Sequence, residues 1–257
     1  MFDLELTLPG MARSALTHHA FAVSSQEHTE AHSVVVLIST TTGSRNQVRL
    51  PFACYIDEPA LYTHEAGRPF ETDRPITPTQ LGTIAVGDLP QRVGFVGPGF
   101  FTGEGCTKMF GAHDVLRVQL QLPGRMASLA KVYARPRDLA AEALERPVPV
   151  RRLSIWSATG SATPWVIVSN DKNNLLTGFL NGLELVTSPP ARNPSPLDPG
   201  DITLPGGPYW LGVKLAMLGK GPAGTATPGM IERQLGDATV SGGHRVDEHL
   251  IAMLGLP

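Results

Sequence analysis

Apolar and polar positions take turns along the first eight residues: Phe2, Leu4, Leu6 and Leu8 alternate with Asp3, Glu5 and Thr7. A period of two puts one face of a strand on a core and the other in water. The same alternation sets Val118, Leu120 and Leu122 against Arg117, Gln119 and Gln121. It recurs over Tyr209, Leu211, Val213, Leu215 and Met217, with Lys214 on the opposite face. Two unbroken runs, Val34–Ile38 and Trp165–Val168, are rich in β-branched residues and predict strands buried on both faces. Apolar stretches at 48–56, 92–96, 129–134 and 150–156 add further strands. Asn181-Gly182 lies between Leu175–Leu180 and Leu183–Val186, which predicts a hairpin, because both residues accept the positive φ of a type I′ turn.

Helical spacing is confined to three places. Pro136–Arg146 carries Pro in its first turn, strong helix formers behind it and Pro147 as a stop. The tail Val246–Leu254 puts Val246, His249, Leu250 and Met253 on one face, with Gly255 as its cap. Met230–Leu235 is a weaker third. Turn-forming residues separate these elements: 27 Gly and 23 Pro in 257 residues, against 42% hydrophobic residues. The expected fold is therefore all-β and mainly antiparallel, a jelly-roll-like β-sandwich with one or two short helices and long Pro/Gly-rich loops. One domain over 1–257 is expected. The alternative is two small sandwiches, 1–135 and 147–257, joined by the helix at 136–146. No internal repeat of 20–50 residues is visible.

Charge and cysteine content narrow the function classes. A formal net charge of −2 argues against extensive nucleic-acid contact, leaving Arg135-Pro136-Arg137 and Arg151-Arg152 as the only local basic pairs. Two cysteines, Cys54 and Cys106, are too few for a zinc cluster or a disulfide framework, and Cys54 sits in an apolar run. The N-terminus has no signal-peptide pattern, and no apolar run reaches the length of a membrane helix, so a virion or cytoplasmic location is expected.

Candidate chemistry is sparse. His28-Thr29-Glu30-Ala31-His32 would place His28, Glu30 and His32 on one face of a strand, a weak candidate for a divalent metal with an open position. Gly242–His249 holds Asp247 and Glu248, explained by carboxylates near the start of the tail helix. Gly97–Gly105 lacks the Gly-Lys-Ser/Thr of a phosphate loop, and there is no Gly-x-Ser-x-Gly elbow. Trp156, Trp165 and Trp210 would stack on sugars if outward and fill the core if inward. The segment Ser188–Gly200 contains Pro189, Pro190, Pro194, Pro196 and Pro199 and reads as an extended arm that contacts neighbouring subunits.

With no catalytic constellation, no cofactor is expected. The leading expectation is a non-enzymatic assembly subunit, such as a viral capsid or other virion protein, partnered by copies of itself or by other structural subunits. A carbohydrate- or ligand-binding sandwich, or a β-barrel metal enzyme using His28, Glu30 and His32, stands as the alternative.

Overall fold

The computed structural model describes residues 2–5, 17–40, 54–55, 62–64, 75–90, 92, 94–102, 111–123, 150–171, 174, 179–220 and 229–257. A first sheet is built from β1 (Phe2–Glu5), β2 (Thr17–Ala22), β3 (Val34–Thr40), β6 (Pro75–Ala85) and β4 (Cys54–Tyr55), in the order β1-β2-β3-β6-β4. Helix α1 (Gln26–His32) joins β2 to β3. Short strands β5 (Tyr62–His64) and β7 (Gly94–Val96) pair with each other. Helices α2 (Pro98–Thr102) and α3 (Ala112–Gln119) follow. A second sheet takes β8 (Ser154–Ala158), β9 (Trp165–Ile167), β10 (Phe179–Val186), β11 (Ser195–Leu197), β12 (Tyr209–Gly219) and β13 (Ile231–Asp237), in the order β11-β12-β10-β9-β8-β13. Helix α4 (Val240–Leu254) ends the chain.

All ladder pairs of these strands are antiparallel. The mainly antiparallel β expectation therefore holds. The jelly-roll-like part does not describe what is seen, because each large sheet draws its strands from one continuous stretch of chain.

The pleat explains the packing. Along β3, Val36 and Ile38 enter the main core while Val35 and Leu37 join a small cluster with Ala20 on the other face. The second sheet divides in the same way: Ile155, Val166 and Leu183 face the main core, and Trp156, Trp165, Leu180 and Leu218 line the opposite face. Both sheets share that main core with α3 and α4, through Leu116, Leu120, Leu250 and Leu254. Strands β6 and β12 meet directly. The Thr83 hydroxyl donates to the Leu215 carbonyl at 2.9 Å, and the Leu215 amide donates back to Thr83 Oγ1 at 2.8 Å.

Several local expectations change. Asn181-Gly182 is not a turn but the middle of β10, paired with β9 and β12. Glycine is needed there for space, since a Cβ would lie 2.6 Å from Leu218 Cδ1. The alternation at 117–122 is the end of α3 running into a left-handed Gln121 at φ 53°, which turns Leu122 back to the core. Met230–Leu235 is not helical, because it lies largely in β13. The tail helix begins earlier than predicted, at a Thr239 cap whose side chain accepts from the Gly242 amide, and it closes on Gly255 as expected. Trp156 and Trp165 are buried, with indole N–H groups donating to Ser154 and Ser161 at 2.8 and 2.9 Å, so neither offers a sugar-stacking face. The proline-rich segment is not a free arm, because it contains edge strand β11. Pro196 suits an edge, where its missing N–H costs no ladder bond. The predicted helix at 136–146 and strand at 129–134 lie outside the described residues, as does most of 48–56.

Candidate functional site

Helix α1 is short but firmly capped. Ser25 Oγ accepts from the His28 amide at 3.1 Å, and Ser33 closes the helix at φ 55°. Four-residue spacing on a helix puts His28 and His32 on one face, with ring centroids 4.9 Å apart. Glu30 does not share that face. It is exposed and accepts from Gln26 Nε2 at 2.6 Å. The strand that would have aligned His28, Glu30 and His32 as metal ligands is a helix, and among the described residues no three His, Cys, Asp or Glu side chains are grouped to hold a metal.

The two histidines line a cleft of about 280 Å³ whose opposite wall comes from α4 and β11. Helix α4 supplies Arg245, Glu248 and His249, and the 193–196 segment supplies Ser195. His249 is fixed at both nitrogens: Nε2 lies 2.9 Å from the Gly212 carbonyl and Nδ1 lies 2.8 Å from Ser195 Oγ. A carbonyl can only accept, so the proton sits on Nε2 and Ser195 donates its hydroxyl hydrogen to Nδ1. Helix and loop meet again at the Ser25 amide, which donates to the Met253 carbonyl at 2.8 Å.

All three imidazoles are held uncharged at neutral pH. Burial lowers His28 from 6.5 to about 4, with the neighbouring His32 and His249 opposing its protonation and a hydrogen bond to the Val213 backbone partly offsetting both. His32 is lowered by burial and by Arg192. His249 is lowered by burial and by His32, against the Gly212 hydrogen bond. His28 Nε2 is buried with no hydrogen-bond partner. Exposed Arg245, Glu27 and Glu248 line the cleft, and Arg192 is close enough to His32 to act on its charge. Asn193 Nδ2 lies 3.4 Å from Glu27 Oε1.

The tail cluster is placed differently from its sequence reading. Asp247 lies well inside α4, not at its start, and pairs with Arg152. Arg152 also donates through Nε to the Leu120 carbonyl at 2.9 Å, so it is a tie within the fold and not a free basic patch. Arg135 and Arg137 lie outside the described residues. Of the five arm prolines, Pro194 and Pro196 line the cleft. The sequence reading found His28 and His32 but missed Ser195, Arg245 and His249 as their neighbours. Four-residue spacing in His28–His32 and Arg245–His249 was the available signal.

No family model matches the chain, and no curated protein matches it. Among solved structures, the chain is similar to an endoribonuclease in complex with its cognate antitoxin from a mycobacterial species, at 22% identity and a TM-score of 0.34, over 42% of this chain and 96% of that one. It is also similar to an endoribonuclease from a mycobacterial species, at 22% identity and a TM-score of 0.32, over 43% and 95% of the two chains. These neighbours are enzymes and not virion components. That goes against the expected non-enzymatic capsid or virion subunit, and at these TM-scores the likeness says nothing further of this chain's role, partners or location. Among the described residues no helix is long and apolar enough to cross a membrane.

Proposed function

We propose that the histidine cleft binds a phosphodiester of single-stranded RNA and cleaves it by proton transfer, without a metal ion. The observation that carries this reading is one cleft holding three uncharged imidazoles, with Arg192 and Arg245 near its mouth. The reading rests on that geometry and not on the partial likeness to the endoribonucleases. Guanidinium groups suit phosphate oxygens, and two of them need no basic surface beyond the cleft, which agrees with a net charge of −2. A neutral imidazole can take the proton of a ribose 2′-hydroxyl as that oxygen attacks phosphorus. The P–O bond to the 5′-oxygen then breaks, and the leaving oxygen takes a proton from an imidazolium. His32, the least buried of the three, is the proposed base. Arg245 is the proposed donor to a non-bridging oxygen, and Ser195 holds His249 in place through its bond to Nδ1. An entering phosphate carries negative charge, so its arrival raises the pKa of the facing imidazoles and draws in the proton needed at the leaving group.

The test is single-stranded RNA incubated with the protein in excess EDTA, with product ends identified. The reading expects 2′,3′-cyclic phosphate ends and a fall of about 10²-fold or more in rate for His32→Ala. No cleavage, or cleavage equally fast in His32→Ala and His249→Ala, sinks it.

A further inference from the structure

The two large sheets have the same construction. Read from β1, the first runs β1-β2-β3-β6-β4; read from β8, the second runs β8-β9-β10-β12-β11, with β13 added at its outer edge. Each match keeps its place along the chain: a turn of helix follows β2 and β9, and a longer helix follows each sheet.

The correspondence extends to single hydrogen bonds. A constant shift of 145 positions carries Val23, Ser24, Thr29 and Val36 onto Val168, Ser169, Asn174 and Asn181. The Val23 amide donates to the Val36 carbonyl at 2.9 Å, and the Val168 amide donates to the Asn181 carbonyl at 2.9 Å. Ser24 Oγ accepts from the Val36 amide at 3.1 Å and meets Thr29 Oγ1 at 3.0 Å. Ser169 Oγ accepts from the Asn181 amide at 3.0 Å and donates to Asn174 Oδ1 at 2.6 Å. A second constant shift, of 134 positions, carries Leu81 onto Leu215 and Leu120-Gln121-Leu122-Pro123 onto Leu254-Gly255-Leu256-Pro257. Gln121 and Gly255 both close their helices in the left-handed region, at φ 53° and 58°. The Leu122 amide bonds to the Arg117 carbonyl and the Leu256 amide to the Ile251 carbonyl, at 2.8 and 3.0 Å.

Contacts between the two stretches are reciprocal. The Ser25 amide donates to the Met253 carbonyl at 2.8 Å, and its counterpart, the Asn170 amide, donates to the Gln119 carbonyl at 2.7 Å. Ser25 Oγ donates to the Ala252 carbonyl at 3.0 Å, and Asn170 Nδ2 donates to the Val118 carbonyl at 2.9 Å. Residue i of one copy touching residue j of the other, with j touching i in return, is the mark of a two-fold interface. Equivalent strands β6 and β12 meet at its centre.

From this we infer that the chain is a covalently fused pair of one fold, residues 2–123 and 150–257, related by a pseudo-two-fold axis, and that the histidine cleft is a composite site between the copies. His28 and His32 come from the first copy; Ser195, Arg245 and His249 come from the second. The residues that the two shifts relate to these histidines are of other types. The same shifts align His28, His32 and His249 with Asn173, Thr177 and Val115, so no imidazole recurs. A symmetric pair would carry two such sites, and the sequence repeats the histidines of this one at neither set of related positions.

The symmetry makes an unusual demand: the path from the end of the first copy to the start of the second equals the path from the end of the second back to the first. A circular permutant of the full chain, 150–257 followed by 124–149 and then 1–123, with the connection lengthened by about six Gly and Ser residues, should fold. In a parallel sample a protease site is placed in the 136–146 stretch of the unpermuted chain and cut. Light scattering and NMR titration of the His28 ring are read on both. The cut pieces are expected to stay together at the mass of the whole chain, with His28 still titrating far below 6.5, and the permutant to match them. Cut pieces that separate overturn the fused pair. A folded permutant, or a paired cut chain, whose His28 titrates near 6.5 overturns the composite site. A permutant that does not fold while the cut chain stays paired overturns the two-fold relation.

Discussion

Acid should destabilise this protein through its histidine cleft, and the size of the effect can be worked out. His28 is 7% exposed and its pKa falls from 6.5 to about 4 on folding. The unfolded chain therefore binds a proton at His28 between those limits while the native chain does not. Stability depends on pH with the sign of protons bound unfolded minus protons bound native, so it rises with pH across that window. The contribution is fully present above pH 6.5 and is lost as pH falls through the window towards 4. Complete linkage is worth 1.36 kcal/mol per pH unit, which sets a ceiling of about 3 kcal/mol for His28. The cleft is open on one side, and solvent screening there reduces this to about 1–2 kcal/mol. His32 and His249 are lowered too and act in the same direction. The assay is urea unfolding at half-unit steps from pH 7.5 to 4, on the native chain and on His28→Asn. The variant loses the stable hydrogen-bonding ring but also loses the proton, so the reading lies in the slope and not in the absolute stability. A native slope that His28→Asn leaves unchanged, or stability flat from pH 7 to 4.5, refutes the reasoning.

Three further outcomes follow from single contacts. Gly242→Ala should lower stability by about 1–3 kcal/mol although alanine favours helices, because a Cβ there would overlap the Asp201 carbonyl oxygen; a rise in Tm would contradict that packing. Asp247→Ala strands the Arg152 guanidinium, which is only 9% exposed, and should cost about 2–4 kcal/mol in denaturant titration; a change below ~0.5 kcal/mol would mark the pair as a surface contact. RNA affinity should fall with salt at a log–log slope of about −1.4, the value for two phosphate contacts on a single strand, and Arg245→Ala should halve it; a slope several times steeper would point to a broad basic face elsewhere.

Much of the fold was legible where burial and periodicity agree. Val34–Ile38, Trp165–Val168 and Tyr209–Met217 became strands because β-branched and alternating residues suit a pleated surface with a core on one or both sides. Misreadings came where local chemistry was outvoted by packing. Asn181-Gly182 has the composition of a turn, yet Leu218 and Trp165 press on Gly182 and hold the pair extended. Residues 117–122 mimic a strand because a left-handed Gln121 follows a helix. The two-copy relation we infer leaves little trace in the residues, because one shift of 145 and another of 134 split it. Short echoes such as Val23-Ser24-Ser25 with Val168-Ser169-Asn170 were all that the residues displayed. The site was half legible. His28 and His32 stood out, but Ser195 and His249 lie 54 residues apart and reach each other only through the packing of α4 on β11.

The most direct test is whether RNA touches these imidazoles. The ring C–H resonances of His28, His32 and His249 would be titrated by NMR with and without a short 2′-O-methyl RNA, which can bind but has no free 2′-hydroxyl to attack. The account predicts that His32 and His28 shift on binding and that their pKa values move up towards 6.5 as the phosphate charge enters the cleft. Histidine resonances and pKa values that stay unchanged under saturating RNA would contradict it.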